Sequence, residues 1–553
     1  MTACFPKIQG AFGGFYMDSM KENGLLKDAD RSGRRFLSGV SILTLSAMIV
    51  KLIGLLYKIP LLSYLGTEGM GYFNTAYELY ALFCVVSTAG LPVAMSVLIS
   101  RSGNGEGASR IYRVALLTFI FIGGAGSLLM FGFSSGFSSL LKNDGAASCM
   151  RAISPTVFLI CLSSVYRGFF QGHGNMLPTA ISQVIEAAGK LFLGLIFAKN
   201  ALESGCNPAE TAAYAVMGLA VGTAISTVYL ALHKLAAKKK GLTAIHASTE
   251  EEKDSRQSGY GRIFRALMIT AIPVTISSAV IGLTKFVDLA MILRRLQDVG
   301  YSEQAANAMY GCYSTLVLPV FNILPSLISS VSLTSVPVLS AAIAKGEEGK
   351  AELRRTGSMA LAVTALISIP ASIGLAVFSR DVLSLIFSHE PDAVFLASPW
   401  LSAMAMAIFP ACMITVSTGM LQASGHASAS LWSMLVGIAV KVVLAYILIG
   451  MPEIGLLGAP VSSIVCDTVV AAINFYRISK YSPDMLPRGK ELTSMLFFPL
   501  MLSLAAVGVS LVLRLLLGWE DISPLRTLAS IGTVVLLYGA GVMAFFIRKI
   551  KRT

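Results

Sequence analysis

Long apolar runs separated by short polar segments recur along the whole chain. Each run holds about eighteen or more mostly apolar residues, enough to cross about 30 Å of hydrocarbon as an α-helix. The pattern therefore predicts about fourteen membrane-spanning helices. They lie near residues 36–62, 73–99, 112–135, 152–171, 176–198, 211–235, 263–293, 307–343, 357–379, 394–418, 427–450, 454–478, 492–517 and 524–547.

Composition places the chain in lipid. Hydrophobic residues make up 55% of it and charged residues only 13%, with a mean hydropathy of +0.72. A soluble domain cannot cover that much apolar surface. The N-terminal segment 1–35 lacks the apolar core of a signal peptide, and its charged end adjoins the first span as a cytoplasmic flank would. We predict an all-α integral membrane protein.

The positions of lysine and arginine predict the orientation. With the N-terminus inside, 29 of the 43 basic residues fall in inner segments and seven in outer loops. Short cytoplasmic loops retain basic residues, so both termini are expected in the cytoplasm and the chain in the cytoplasmic membrane. The net charge of +13 then reflects topology and attraction to an anionic leaflet. No basic run is interleaved with aromatic residues, so nucleic acid is not an expected partner.

Motifs of soluble chemistry are missing from the sequence. It contains no Walker A sequence, no HExxH and no GxSxG, and its five histidines lie far apart. The eight cysteines are scattered without CxxC pairs. We expect no enzyme activity, no cofactor and no metal, and no ATP-driven pumping unless a second subunit carries the ATPase.

An internal repeat divides the chain. YRGFFQGHGN at 166–175 and STGMLQASGH at 417–426 share two glycines and a glutamine at a separation of 251 residues, as do Lys190 and Lys441. Six predicted spans separate equivalent positions, so the repeat is parallel. The predicted units are a cytoplasmic segment 1–35, an N-lobe 36–235, a linker 236–262, a C-lobe 263–478, and two further spans with a basic tail, 479–553.

Three stretches carry a resemblance to a known family. KLIGLLYKIPLLSYLGTEGMGYFNTAYELY (51–80), STAGLPVAMSVLISR (87–101) and RGFFQGHGNMLPTAISQVIE (167–186) resemble the stage V sporulation protein B branch of the multidrug/oligosaccharidyl-lipid/polysaccharide exporter superfamily. This branch is related to the lipid II flippase MurJ. The resemblance implies two six-helix lobes, alternating access and export of an undecaprenyl-linked glycan, with the last two spans lining a groove for the lipid tail.

One motif departs from the relatives. MurJ-like proteins carry a first-span signature similar to SRxxGxxRD. When its glycine is aligned with Gly54, Lys51 takes the first basic position, Tyr57 replaces the second, and Lys58 takes the acidic position. The resemblance therefore implies a polyprenyl-linked saccharide as substrate without specifying lipid II.

Charge gives an independent reason to expect a basic cavity. A polyprenyl diphosphate carries about two negative charges, which bare hydrocarbon does not admit, and basic residues within spans normally face the bundle interior. Lys51 and Lys58 are seven residues apart and share one face of the first span. We predict Lys51, Lys58 and Lys285 as substrate-binding residues, with Lys51 first. Lys58 is equally consistent with snorkelling to the outer interface.

Acidic residues within spans are candidates for ion coupling, namely Glu186, Asp288 and Asp467. Each could instead neutralise a lysine: Asp288 could pair with Lys285 and Glu186 with Lys190 on their own helices. Asp467 could likewise pair with Lys441 on the preceding span. The two arginines near span ends, Arg167 and Arg514, are expected to snorkel.

Two other functions fit the same architecture. A cation-coupled multidrug antiporter should have an acidic cavity, whereas these spans contain more basic than acidic residues. A membrane scaffold for cell-wall or spore assembly would not need intramembrane lysines. The favoured hypothesis is a flippase whose partners are a lipid-linked saccharide, membrane lipids and enzymes of cell-envelope biosynthesis.

Overall fold

The computed structural model describes residues 26–102, 105–239, 259–487, 489–519 and 523–550. Within these ranges the chain is built from α-helices joined by short turns, with π-helical and 3-10 segments between some of them and no strands. Most of the predicted linker, residues 240–258, and the first 25 residues of the predicted N-terminal segment lie outside the described residues.

Eighteen α-helices follow one another along the described chain. Those of the first half are α1 (Leu26–Val85), α2 (Leu91–Arg101), α3 (Gly105–Gly132), α4 (Ser134–Leu140), α5 (Ala146–Gly172), α6 (Leu177–Glu203) and α7 (Pro208–Lys239). Those of the second half are α8 (Tyr260–Asp298), α9 (Glu303–Cys312), α10 (Leu318–Ala344), α11 (Lys350–Val377), α12 (Ser379–Ile386), α13 (Pro391–Ala405), α14 (Ile408–Ala423), α15 (Ala427–Ile449) and α16 (Gly458–Tyr481). Two more complete the chain, α17 (Lys490–Leu516) and α18 (Pro524–Ile550).

By length and hydropathy, 12 helical stretches of the described chain could cross a membrane, or 13 when the bent pair α13 and α14 is counted as one span. The predicted count of fourteen is therefore approximate. The difference between fourteen predicted spans and the 13 counted in the structure lies in α1. This helix is continuous except at Gly66, where φ 63° and ψ 178° break the helical path. The sequence prediction divided the chain near this glycine, into spans 36–62 and 73–99.

Two π-helical turns occur at related places in the two halves. They cover Val86–Gly90 and Tyr313–Val317, and each is followed by Leu-Pro-Val, at 91–93 and at 318–320. Proline has no N–H, so the helical turn before it loses one backbone hydrogen bond. The widened π turn accommodates that loss in both places.

Small residues allow close packing between neighbouring helices of the first half. A Cβ on Gly189 of α6 would collide with Gly222 of α7, and one on Gly218 would collide with Gly194. Membrane helices associate through such close approach because lipid supplies no hydrophobic drive between them. In the second half, α14 is similarly placed beside α10, where Gly419 faces Ser332.

The sequence repeat has a conformational counterpart. Gly174 follows α5 with φ +73°, and Gly425 follows α14 with φ +79°. Both glycines therefore adopt the left-handed conformation that a side chain disfavours, at the end of equivalent helices. The two copies of the motif end their helices in the same way.

The last two helices attach to the second half. Helix α17 packs on α11, and α18 packs on α17 and α12. Arg514 of α17 binds Asp381 of α12, with Nη1 3.1 Å from Oδ2, and Thr527 of α18 donates to the same carboxylate. The expectation that Arg514 snorkels was wrong, because a buried carboxylate from another helix lies within its reach.

Candidate functional site

A cavity of about 370 Å³ lies between the two halves of the bundle. Its wall combines residues of α1 and α6 with residues of the π-helical turn Tyr313–Val317 and of α8, α9, α10, α13, α14, α15 and α16. Basic and acidic side chains both contribute, together with several aromatic rings. The charged lining residues are Lys58, Lys190, Lys285, Lys441, Glu78, Asp288 and Asp467.

Lys190 is surrounded by aromatic rings. Its Nζ lies 4.3 Å from the ring centroid of Tyr77, 5.2 Å from that of Tyr57 and 5.6 Å from that of Phe73. Among the described residues, no carboxylate lies within ion-pair distance of it. Ring faces attract an ammonium group without cancelling its charge, so Lys190 presents a positive charge to the cavity.

Lys441 and Asp288 form an ion pair across the wall, with Nζ 2.6 Å from Oδ2. The structure therefore contradicts two predicted pairings. Asp288 binds Lys441 of α15 and not Lys285 of its own helix, because α15 packs against α8 at that level. Asp467 lines the cavity, and Lys441 uses Asp288 in preference to it.

Glu186 has a partner that the sequence did not predict. Its Oε2 lies 2.8 Å from Nη2 of Arg167, and Nε of the same arginine donates to Ser182. The predicted pair of Glu186 with Lys190 was therefore wrong, and so was the expectation that Arg167 snorkels. Arg167 is buried between α5 and α6, where only a paired charge is stable.

Lys58 lies on the cavity wall. Its Nζ donates to the backbone oxygen of Ser314 at 2.9 Å, so the snorkelling alternative does not apply to it. Lys285 also lines the cavity, with an exposed side chain. Lys51 is exposed on α1 and is not among the residues that line the cavity. The structure thus brings together two of the three predicted substrate-binding lysines.

A polar seam joins the two halves at one end of the cavity. Asn143 donates to Asn307 at 2.8 Å and to Thr75 at 3.0 Å, and Asn307 donates to the backbone oxygen of Glu68. Asn74 adds a bond to Thr315 at 2.9 Å. All these groups are buried, or nearly so, and their bonds connect the halves directly.

One ion pair and two hydrogen bonds extend this seam to the protein surface. Lys142 binds Asp298, with Nζ 2.8 Å from Oδ1, and Gln297 donates to the backbone oxygen of Lys142 at 2.6 Å. Arg294 donates to the backbone oxygen of Leu140. The short loop after α4 is thereby bound to the end of α8, across the boundary between the two halves.

In the part of the chain that the structure describes, no three His, Cys, Asp or Glu side chains are grouped so as to hold a metal ion. The chemistry of the cavity is that of ammonium groups, carboxylates and aromatic rings. Ammonium groups are donors to anions, and aromatic rings offer apolar faces.

Comparison with known proteins shows which family has this architecture. The family model described as polysaccharide biosynthesis protein matches residues 36–343, more than half of the chain. The chain belongs to the polysaccharide biosynthesis protein family. The MatE family model matches residues 314–447 in addition. The resemblance to the superfamily of multidrug and polysaccharide exporters is confirmed.

Two relatives from Bacillus subtilis (strain 168) match most of this chain. Stage V sporulation protein B is 26% identical over 455 residues, covering 81% of this chain and 84% of the relative. The lipid II flippase MurJ is 23% identical over 539 residues, covering 93% of this chain and 96% of the relative.

Solved structures share the fold. A lipid II flippase MurJ in an inward closed conformation matches with a TM-score of 0.69 at 14% identity, covering 92% of this chain and 99% of that one. An inward-facing multidrug resistance transporter of the MATE family matches with a TM-score of 0.59 at 16% identity, covering 80% and 99%. The two-lobe helical architecture predicted from the repeat is confirmed.

Two residues of the cavity, Glu78 and Lys190, were not predicted from the sequence as site residues. Glu78 lines the cavity but lies in an apolar run without any pattern that marks it. Lys190 stands four residues after Glu186, and that spacing favoured an ion pair on one helix over a substrate contact. The separation of 251 residues from Lys441 was the available signal, because both lysines line the same cavity.

Proposed function

We propose that this protein moves a polyprenyl diphosphate-linked saccharide across the cytoplasmic membrane by alternating access of its two lobes. The observation that carries the proposal is the charge of the cavity between them. Once Lys441 is paired with Asp288, the lining retains Lys58, Lys190 and Lys285 against Glu78 and Asp467. A diphosphate needs such an excess of positive charge to leave water.

Within this proposal each part of the cavity has a role. Lys190 and Lys285 bind the diphosphate as charge-assisted donors, and Lys58 contributes from α1. The aromatic rings beside Lys190 offer faces on which a sugar ring packs. Transport makes and breaks no covalent bond, so the protein acts as a carrier and not as an enzyme.

The orientation follows from the charge distribution of the loops. We place both termini and the 238–262 loop in the cytoplasm, because inner segments hold most basic residues. The polar seam then lies on the outer side, and the cavity is closed to the outside. Enzymes that build the lipid-linked saccharide on the inner face, together with membrane lipids, are the expected partners.

Two sources of energy are available to such a carrier. Outward movement of negative charge across an inside-negative membrane is favourable by about 2.3 kcal/mol per charge per 100 mV. Cation coupling needs an acidic residue that is not already used. Of the three acidic residues predicted for coupling, Glu186 and Asp288 are held in ion pairs. Asp467 and Glu78, which both line the cavity, remain as the coupling candidates.

A multidrug antiporter is the second candidate, because the MatE family model matches residues 314–447. A carrier of cationic drugs needs a cavity in which carboxylates exceed ammonium groups. The lining here has the opposite excess, which favours the flippase.

The direct test is translocation in proteoliposomes containing a fluorescent polyprenyl diphosphate-saccharide. A membrane-impermeant quencher reports the fraction that has crossed. We expect flipping by the reconstituted protein, with no flipping of the matched neutral polyprenyl saccharide. Efflux of cationic dyes without movement of the diphosphate would instead identify an antiporter.

A further inference from the structure

The bond from Lys58 to Ser314 has a specific origin in the π-helical turn Tyr313–Val317. In an α-helix the Ser314 oxygen would accept from the amide of Leu318, but that amide donates to Tyr313. In π-helical register the donor would be residue 319, which is proline and has no N–H. The oxygen is left without a backbone donor, and Lys58 supplies one at 2.9 Å.

This bond crosses between the lobes. Lys58 belongs to α1, whereas Ser314 belongs to the second half of the chain. The neighbouring contacts hold the same boundary together: Asn74 donates to Thr315, and a Cβ on Gly311 would collide with the backbone of Thr67. The Lys58 bond therefore exists only while the lobes are closed at this seam.

Separating the lobes leaves Lys58 in an unfavourable state. Ser314 is its one hydrogen-bond partner among the described residues, so in an empty cavity the ammonium group would be left inside the bundle without a hydrogen bond, with Glu78 of its own helix as the carboxylate on the same cavity wall. An unpaired charge there is costly. An anion bound in the cavity removes that penalty, because it gives the ammonium a stronger partner than a neutral carbonyl.

We propose that Lys58 couples substrate binding to opening of the outer seam. In the empty protein it bridges the lobes through the Ser314 carbonyl and keeps the seam closed. When an anionic lipid headgroup occupies the cavity, Lys58 transfers to it and the seam opens. This inference rests on the proposed function, since the anion is the diphosphate of the transported lipid.

The distance across the seam measures this coupling. Spin labels are placed on Leu140→Cys and Gln304→Cys, both exposed positions on opposite sides of the seam. Cys4 and Cys206 are replaced by serine, and the other six cysteines are buried. Electron–electron distances are recorded in nanodiscs, in the empty state, with undecaprenyl diphosphate, and with undecaprenol as the uncharged probe.

We expect a single short distance in the empty protein and with undecaprenol, and a longer one with undecaprenyl diphosphate. Lys58→Met should raise the fraction of the longer distance in the empty protein by about tenfold, which corresponds to one hydrogen bond to a charged group. That variant should no longer respond to the diphosphate. Pro319→Ala should shift the distance in the same direction, because residue 319 regains an N–H.

The matched control is Lys199→Met, the same change at an exposed lysine of α6 that pairs with Glu203 and is not among the residues lining the cavity. It should behave as the unmodified protein does. Flipping is measured on the same samples. The protein could flip lipid while undecaprenyl diphosphate leaves the distance across the seam unchanged. That result would overturn the coupling and leave the proposed function standing. A normal diphosphate response in Lys58→Met would also overturn it. Absence of flipping in the unmodified protein would reject the proposed function itself.

Discussion

Lys441 and Asp288 form an ion pair that links α15 to α8 on the cavity wall, with Nζ 2.6 Å from Oδ2. Neither residue is close to the other in sequence, and each has a nearer candidate partner. The pair neutralises one lysine of the cavity and thereby decides which basic groups remain for a substrate.

The first prediction concerns the stability of this pair. Lys441→Ala or Asp288→Ala should each lower the free energy of unfolding by about 3 kcal/mol, the low end for a broken buried pair, because Asp288 retains some exposure. The double variant Lys441→Met with Asp288→Leu should recover most of that loss, since it leaves no unpaired charge. Thermal unfolding in detergent measures all three. A double variant as unstable as the two losses added together would contradict the pairing.

Lys190 should be needed for transport and not for folding. Lys190→Met keeps the aliphatic stem among Tyr57, Phe73 and Tyr77 but removes the charge, so flipping per folded molecule should fall by about 100-fold. Lys190→Arg should retain part of the activity because it keeps the charge. Flipping assays normalised to folded protein by size-exclusion chromatography decide this. Unchanged flipping in Lys190→Met would remove the residue from the site.

Lys51 provides the comparison, because the sequence ranked it first and the structure places it off the cavity wall. Lys51→Ala should reduce flipping less than Lys190→Met does, since its exposed ammonium group is hydrated. Lys51→Glu should reduce flipping further, because it brings a negative charge near the path of an anion. The series Ala, Arg and Glu at this one position is measured by transport per folded molecule. A loss at Lys51→Ala equal to that at Lys190→Met would restore Lys51 as a principal binding residue.

Locking the outer seam should stop transport. Lys142 and Asp298 are in contact across it, so Lys142→Cys with Asp298→Cys can be joined through two disulfides by a short bis-methanethiosulfonate reagent. Alternating access requires the lobes to separate there. The crosslinked protein should not flip lipid, and a reducing agent should restore activity. The single cysteine variants treated with the same reagent are the control, and full activity in the locked protein would refute alternating access.

The orientation can be tested by labelling in intact cells. Single cysteines in 238–262 and after Lys549 should be protected from an impermeant thiol reagent, because inner loops hold most basic residues. Cysteines near Glu390 and Glu520 should react. Permeabilised cells supply the control for reactivity. External labelling of the 238–262 loop would reverse the assigned orientation.

The sequence by itself determined the class of the protein and its repeat. Apolar runs long enough to span lipid predict membrane helices wherever they fall, because a backbone in hydrocarbon must satisfy its own hydrogen bonds. The shared motif predicted that Gly174 and Gly425 occupy equivalent positions of the two halves, and both adopt the left-handed conformation at the end of a helix. These signals are local, so they can be read without knowing which helices are neighbours.

Only the tertiary structure decided the partners of the intramembrane charges. Local spacing favoured Glu186 with Lys190, yet Glu186 binds Arg167 on another helix. An ion pair in a helical bundle forms where two helices pack and their rotations bring the charges together, and no pattern along one helix records that. The hydrogen bond of the Ser314 carbonyl is a second example. Pro319 indicates in the sequence that this oxygen lacks a backbone donor, but only the packing of α1 brings Lys58 to it.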